Sequence, residues 1–292
     1  MRRRTHINVK RAVLITIFLI VFILAAEVWL SYHWLKVNFY ETSSDRISDP
    51  VRLVVLSDLH DHEFLGANKR LADKVSAQEP DLILLDGDFL NEDSRDAHVP
   101  LELVSQLKEI APVYYALGNH ELSYIEAGHE DLCDELERAG AVVLEEGYRD
   151  VEVGDTRLRL GGMYDYAFAL DGNNSAENLT GAVREFLEEF QDTSNYKIML
   201  SHRPDSFVFG SASEYWDIDF VISGHDHGGQ VVVPFRGGLY GGDQGWFPKY
   251  IHGMYELGNM KLFVTSGLGS EHQALPRWNN PPEIAVVDLC PQ

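Results

Sequence analysis

Side chains able to hold metal ions follow five short apolar runs of this sequence, directly after each run ends. They are aspartate, asparagine and histidine, whose oxygen and imidazole atoms suit cations such as Mn, Fe or Zn. No thiolate is among them, which excludes a cysteine-type structural zinc site. In chain order they are Asp58 and His60 after VRLVVLS, Asp88 after LILLD, Asn119 and His120 after VYYAL, His202 after YKIML, and His225 and His227 after DFVIS.

The spacing of these residues predicts a site for two ions. In Asp58-x-His60 and His225-x-His227 the two side chains can face the same way on an extended segment. Seven candidate ligands, with His120 set aside, exceed the needs of one tetrahedral ion. Two ions about 3.5–4 Å apart, sharing a carboxylate, can clamp a phosphoryl group and activate water. Each motif alone is common in turns without function; the five together, each at a strand end, indicate a site.

The elements that must position these residues alternate along the chain. Apolar runs alternate with helical periodicity, which predicts an α/β sheet with parallel strands. Ligands bind beyond the carboxyl ends of such strands, where the candidate residues lie. The helical stretches are 68–78, 100–110 and 125–140. Later hairpin patterns at 151–163 and 255–266 and a final strand at 283–289 add antiparallel pairs. We therefore expect one α/β domain with two packed sheets.

Composition limits the possible functions. The 292 residues are 45% hydrophobic and 24% charged, as in ordinary globular proteins. The net charge of −22 makes a nucleic-acid partner unexpected, because such proteins present basic patches to phosphates. Two cysteines, Cys133 and Cys290, exclude a disulfide scaffold, and the sequence leaves open whether they pair with each other. Nothing in the sequence indicates a protein partner.

The N-terminus predicts a membrane anchor. A basic segment, 1–11, precedes an apolar run that extends over 12–35. Basic residues stay in the cytoplasm, which predicts a single-pass cell-membrane protein with its catalytic domain extracellular. A cleavable signal peptide is the alternative, although its cleavage pattern is poor. Residues 36–50 read as a polar linker, and residues 51–292 as the folded domain.

The order of motifs D-x-H, G-D, G-N-H, H and G-H-x-H resembles the calcineurin-like metallophosphoesterases. The resemblance covers nearly all of 51–290. The segments SDLHDHEF, GHDHGGQVVVPF and SGLGSEHQALPRWNNPPEI resemble a subgroup, the membrane-anchored or secreted bacterial phosphoesterases. This resemblance implies a four-layer α/β/β/α sandwich of two mixed sheets, here preceded by one transmembrane helix.

The resemblance also implies roles for single residues. Asp88 would bridge two divalent metal ions, and His120 would protonate the leaving group or steady the transition state. A hydroxide bridging the metals would attack phosphorus. The implied ligands of the first ion are Asp58, His60 and His227, and those of the second are Asn119, His202 and His225. One departure is Asn91, which stands where many family members have an acid. His62, beside the first motif, reads as a solvated loop residue rather than a substrate contact.

The expected activity is hydrolysis of a phosphodiester or pyrophosphate bond. The expected substrate is a phosphate ester, possibly lipid-linked: a lipid headgroup or a nucleotide conjugate at the outer membrane surface. A phosphomonoesterase with the same site is the alternative. A non-catalytic surface protein is a third hypothesis, against which the complete ligand set argues.

Overall fold

The computed structural model describes residues 2–163, 176, 177, 179, 181–270 and 275–292. Its helices flank two large sheets. They are α1 (Arg2–His33), α2 (Lys69–Ser76), α3 (His98–Leu107), α4 (Asn119–Glu126), α5 (Leu132–Ala139), α6 (Gly181–Gln191), α7 (Asp205–Phe209) and α8 (Ala212–Tyr215).

The described strands form two six-stranded mixed sheets and two small ribbons. The first sheet has the order β1-β16-β2-β3-β4-β5, in which β16 runs antiparallel to β2 and the other neighbours are parallel. Its strands are β1 (Lys36–Ser44), β2 (Val51–Leu56), β3 (Leu82–Asp86), β4 (Val113–Ala116), β5 (Ala141–Val143) and β16 (Glu283–Pro291).

The second sheet has the order β14-β15-β9-β8-β7-β6, with antiparallel pairs at both edges. Its strands are β6 (Gly147–Val153), β7 (Thr156–Met163), β8 (Tyr196–Ser201), β9 (Phe220–Ser223), β14 (Gly253–Leu257) and β15 (Met260–Val264). The ribbons pair β10 (Val232–Val233) with β11 (Gly237–Gly238) and β12 (Tyr240–Gly241) with β13 (Gly245–Trp246). Together they lie within residues 232–246, which include the Gly-rich stretch GGLYGGDQG at 237–245.

Three apolar cores separate four layers. Alternate residues of a strand point to opposite faces, so β2 sends Leu53 into the core between the sheets and Val54 into the core under α2–α5. Likewise β8 sends Ile198 between the sheets and Met199 under α6–α8. The α/β/β/α sandwich that the resemblance implied is therefore confirmed.

The predicted linker over 36–50 is wrong for residues 36–44, which form β1. This strand pairs in register with β16, Lys36 opposite Glu283. Its side chains are polar enough to read as a tether, but Asn38 and Tyr40 both donate hydrogen bonds to buried Glu283, at 2.6 and 2.7 Å. The pairing partner lies more than 240 residues away, so no local pattern could reveal it.

Helix α1 leads almost directly into this strand. Its portion Val9–His33 is long and apolar enough to cross a membrane, with a mean hydropathy of 2.8, and a signal sequence meets the same criteria. The predicted span ended at Leu35, but Leu35 is buried in the core under α2–α5. The predicted helix over 125–140 is two helices, α4 and α5, which Gly128 separates with a φ of 113°. Cys133 and Cys290 are not joined.

Candidate metal centre

The eight predicted site residues lie at the carboxyl ends of five strands. Asp58 and His60 follow β2, Asp88 follows β3, Asn119 and His120 open α4 after β4, His202 follows β8, and His225 and His227 follow β9. Five of these residues have left-handed backbone, with φ between 46° and 69°. Such strain in non-glycine residues persists where the surrounding structure imposes it, and it concentrates at functional sites.

Glycines let the loops approach the carboxylates. A Cβ on Gly118 would lie 2.3 Å from Asp88 Oδ1, and one on Gly224 would lie 2.5 Å from Asp58 Oδ2. The G-N-H and G-H-x-H motifs therefore need glycine for close approach, besides their polar residues. The backbone N–H of His120 donates to Asp88 Oδ1 at 2.9 Å, and that of His225 donates to Asp58 Oδ1 at 3.0 Å.

Two groups of side chains converge on these carboxylates. The potential ligand atoms of Asp58, His60 and His227 all lie within 4.8 Å of one another, and those of Asp88, His202 and His225 do too. These groups can hold metal ions. The sets match the division between two ions that the resemblance implied, apart from Asn119.

Asp88 lies between the two groups. Its Oδ2 is 2.9 Å from Nε2 of His202 and 3.9 Å from Nε2 of His60. Nε2 of His120 is also 3.9 Å from this oxygen. A third group able to hold a metal consists of His60, Asp88 and His120. One carboxylate thus reaches residues of both groups, as a bridging ligand must.

Hydrogen bonds at Nδ1 turn three imidazoles toward the centre. His202 donates from Nδ1 to the carbonyl of Asp86 at 2.6 Å, and His227 to the carbonyl of Gly269 at 3.2 Å. His60 donates to Oδ1 of Asn91 at 2.8 Å. With the proton fixed on Nδ1, the Nε2 lone pair is available to a metal, which is the usual arrangement of ligating histidines.

Several buried polar atoms here have no protein partner among the described residues. They include Nε2 of His60 and Oδ1 of Asn119. Buried polar atoms are almost always satisfied, so unpaired ones call for a ligand. Each of these atoms is an acceptor on a predicted metal ligand. The residues present therefore fit two metal ions.

Burial and neighbouring charge shift the pKa values in this centre. Burial raises the pKa of Asp58 to about 6 and lowers that of His60 to about 4. Burial opposes the charges of Asp88 and His202 as well, but their attraction outweighs it, lowering the pKa of Asp88 and raising that of His202. A cation in this place replaces the His202 proton, because metal ligands must be deprotonated.

The comparisons with known proteins agree with this geometry. The calcineurin-like phosphoesterase (Metallophos) profile matches residues 51–229. The chain belongs to the calcineurin-like phosphoesterase family. An uncharacterized metallophosphoesterase of Campylobacter jejuni is 29% identical over 277 residues, which cover 94% of this chain and 68% of the relative. Another, from Helicobacter pylori, is 29% identical over 85% of this chain, which spans only 62% of that relative. Phosphodiesterase YaeI of Escherichia coli is 26% identical, with coverages of 88% and 91%.

Two supporting residues of this metallophosphoesterase were not predicted. Asn91, noted in the sequence only as a departure, orients His60 and is itself fixed by donating from Nδ2 to Asp61 at 3.0 Å. Glu121 is completely buried and accepts the backbone N–H groups of Asp88 and Gly118, at 2.8 and 2.9 Å. Its position directly after the G-N-H motif was the one available signal.

His62 is more enclosed than its sequence context predicted. It is partly buried, with its ring centroid 6.5 Å from that of Tyr32 and 4.6 Å from that of Phe64. It also lines the open pocket that contains His60 and Asn91. His62 is thus a loop residue, as expected, but it is only partly solvated and belongs to the surroundings of the metal centre.

Proposed function

We propose that this chain is a dinuclear-metal-dependent phosphoesterase that hydrolyses a phosphodiester or pyrophosphate bond. The observation that carries the proposal is the position of Asp88 Oδ2, within 3.9 Å of the buried Nε2 atoms of both His60 and His202. Membership of the calcineurin-like phosphoesterase family supports the reaction class.

In this proposal the two groups hold one ion each. Asp58, His60 and His227 hold the first. Asn119, His202 and His225 hold the second, and Asp88 contacts both. When bound, divalent ions such as Mn, Fe or Zn neutralise phosphate charge and lower the pKa of water. The protein orients the imidazoles through their Nδ1 hydrogen bonds and places the carboxylates of Asp58 and Asp88 beside them.

His120 is positioned to act on the leaving group. Its side chain is 26% exposed, whereas His60, His202 and His227 are buried, so a substrate can reach it. Its Nδ1 accepts the backbone N–H of Glu92 at 3.1 Å, which leaves the proton of the neutral ring on Nε2. That N–H lies on the Asp88 side of the ring and can donate a hydrogen bond to the departing oxygen, steadying the negative charge that develops there.

The substrate proposed is a lipid headgroup or nucleotide conjugate at the outer membrane surface. The apolar helix Val9–His33 and the E. coli phosphodiesterase among the relatives support a membrane-proximal diesterase. A net charge of −22 disfavours the binding of polyanions such as nucleic acids, which need a basic surface. A single phosphate group would instead be bound through the metal ions.

Hydrolysis of two chromogenic esters tests this proposal. Protein loaded with Mn²⁺ should cleave bis-(p-nitrophenyl) phosphate faster than p-nitrophenyl phosphate, and chelation should abolish both reactions. The reverse preference would identify a phosphomonoesterase. The metal content of Asp88→Asn serves as a control, because a lower content shows that the wild-type protein binds its metal at this centre. If the wild type retains that metal and cleaves neither ester, the enzymatic proposal is contradicted.

A further inference from the structure

A second cleft adjoins the pocket of the metal centre, at the end of helix α1. It encloses about 420 Å³ between the last turns of α1, Trp29 and His33, and the loop 62–70 that follows the first ligand motif. Its lining includes His62 and Glu63, which also line the pocket beside His60. The two spaces therefore lie side by side, with His62 and Glu63 between them.

The rim of this cleft is apolar and exposed. Leu65 is 73% exposed and Trp29 is 60% exposed, at opposite sides of the opening. Single exposed apolar residues are common, but these two line one concave surface, and Trp29 belongs to the candidate membrane span Val9–His33. Arg70 in the lining adds a positive charge, and Glu63 a negative one.

The end of α1 is held against the catalytic domain. Tyr32 Oη accepts the backbone N–H of Arg277 at 3.2 Å, and Ser31 Oγ accepts that of Asn280 at 3.2 Å. Leu35 is 1% exposed within the core. With these contacts the cleft lies at the level where the apolar helix ends, which for a spanning helix is the membrane interface.

We propose that this cleft receives the acyl-bearing part of a membrane lipid whose phosphate ester reaches the metal centre. The inference rests on the proposed function and narrows its substrate to a lipid phosphoester. The apolar rim of Trp29 and Leu65 contacts the first carbons of the chains. Arg70 attracts anionic headgroups at the interface, and the passage beside His62 leads the phosphate toward His60.

The decisive comparison uses one headgroup with and without acyl chains. The full-length protein with Mn²⁺, in detergent micelles, is given the p-nitrophenyl ester of dioctanoyl phosphatidic acid and the corresponding glycerophosphate ester. Leu65→Asp should raise KM for the acylated ester about tenfold, the equivalent of about 1.4 kcal/mol of lost contact, and leave the other ester unchanged. Phe235→Asp, at a fully exposed apolar residue outside the cleft lining, should change neither. Equal effects of Leu65→Asp on both esters, or none, would overturn the proposal.

A binding measurement separates the cleft from the chemistry. Phosphatidylcholine vesicles carrying phosphatidylglycerol with a photoreactive acyl chain should cross-link to residues 62–70 of the wild type and less to Leu65→Asp. Cross-links confined to the part of α1 before Trp29 would overturn lipid binding in the cleft. Cross-links at 62–70 together with no hydrolysis of either ester would support the cleft and contradict the proposed function alone.

Discussion

The backbone N–H of Glu92 donates a hydrogen bond to Nδ1 of His120 at 3.1 Å. This contact reverses the arrangement seen in His60 and His202, whose Nδ1 atoms donate to oxygen. His120 therefore presents a proton at Nε2, where the other two present a lone pair. A single backbone N–H thus makes His120 a donor at Nε2, whereas His60 and His202 can bind metal through the same atom.

Replacing His120 by alanine should slow turnover without removing metal. The expected loss is about 10²–10⁴-fold for esters with poor leaving groups, since positioned acids contribute that much. It should shrink for p-nitrophenyl esters, whose leaving group departs without a proton. His129→Ala is the control, because that ring stacks on Tyr124 at 3.8 Å rather than facing Asp88. An identical loss on both kinds of ester would show that His120 does not act on the leaving group.

Replacing Asp88 by asparagine should weaken the binding of both ions, whereas His60→Ala should mainly weaken one. The reason is that Asp88 Oδ2 is close to residues of both groups and His60 belongs to the Asp58 group. Metal content of the purified variants, measured by mass spectrometry, checks this. Two ions retained in Asp88→Asn would rule out the bridging role.

Replacing Asn91 by alanine should weaken metal binding about 10–100-fold, as loss of a residue that orients a ligand does. Asn91→Asp keeps an acceptor for His60 but places a second carboxylate beside Asp61, which Asn91 now contacts at 3.0 Å. The double variant Asn91→Asp, Asp61→Asn should recover binding. The Mn²⁺ concentration for half-maximal activity measures each step, and an unchanged value in Asn91→Ala would exclude the orienting role.

Local patterns predicted most of what the site requires. The ligand residues directly follow apolar runs in the chain, so their place at the carboxyl ends of the strands follows from the order of the strands alone. Asn91 and Glu121 escaped prediction because their roles are hydrogen bonds to residues brought near by folding. Strand β1 escaped for the same reason: its polar residues pair with β16, and Asn38 and Tyr40 find their acceptor, Glu283, only in the folded sheet.

Glu283 should make stability depend on pH in the acid range. Burial alone would raise its pKa, but hydrogen bonds from His252 and Asn38 and the nearby His252 charge lower it from 4.5 to about 2. Its ionised form then stabilises the fold by about 3 kcal/mol above pH 4.5, and this contribution is lost as the pH falls toward 2.

Urea unfolding of metal-free protein between pH 7 and pH 3 tests this expectation. Glu283→Gln should be less stable than the wild type at pH 7, and the difference should narrow as the pH falls. Glu41→Gln, an exposed acid on the neighbouring strand β1, should track the wild type. A difference that stays constant with pH would mean that the charge of Glu283 does not contribute.

The last prediction concerns where the domain lies. Basic residues precede the apolar helix and should stay in the cytoplasm, which places the domain outside. Only Trp34 and Leu35 lie between α1 and β1, a reach of about 7 Å. The domain is therefore held at the membrane rather than on a loose tether.

Protease added to intact cells or protoplasts should digest it while a cytoplasmic marker survives, and the mass of the membrane-bound form should include residues 1–35. Protection until lysis would reverse the topology, and a product beginning after Ala26 would identify a signal peptide. In the reversed topology the substrate would be met at the cytoplasmic face, so this measurement decides which leaflet supplies the lipid.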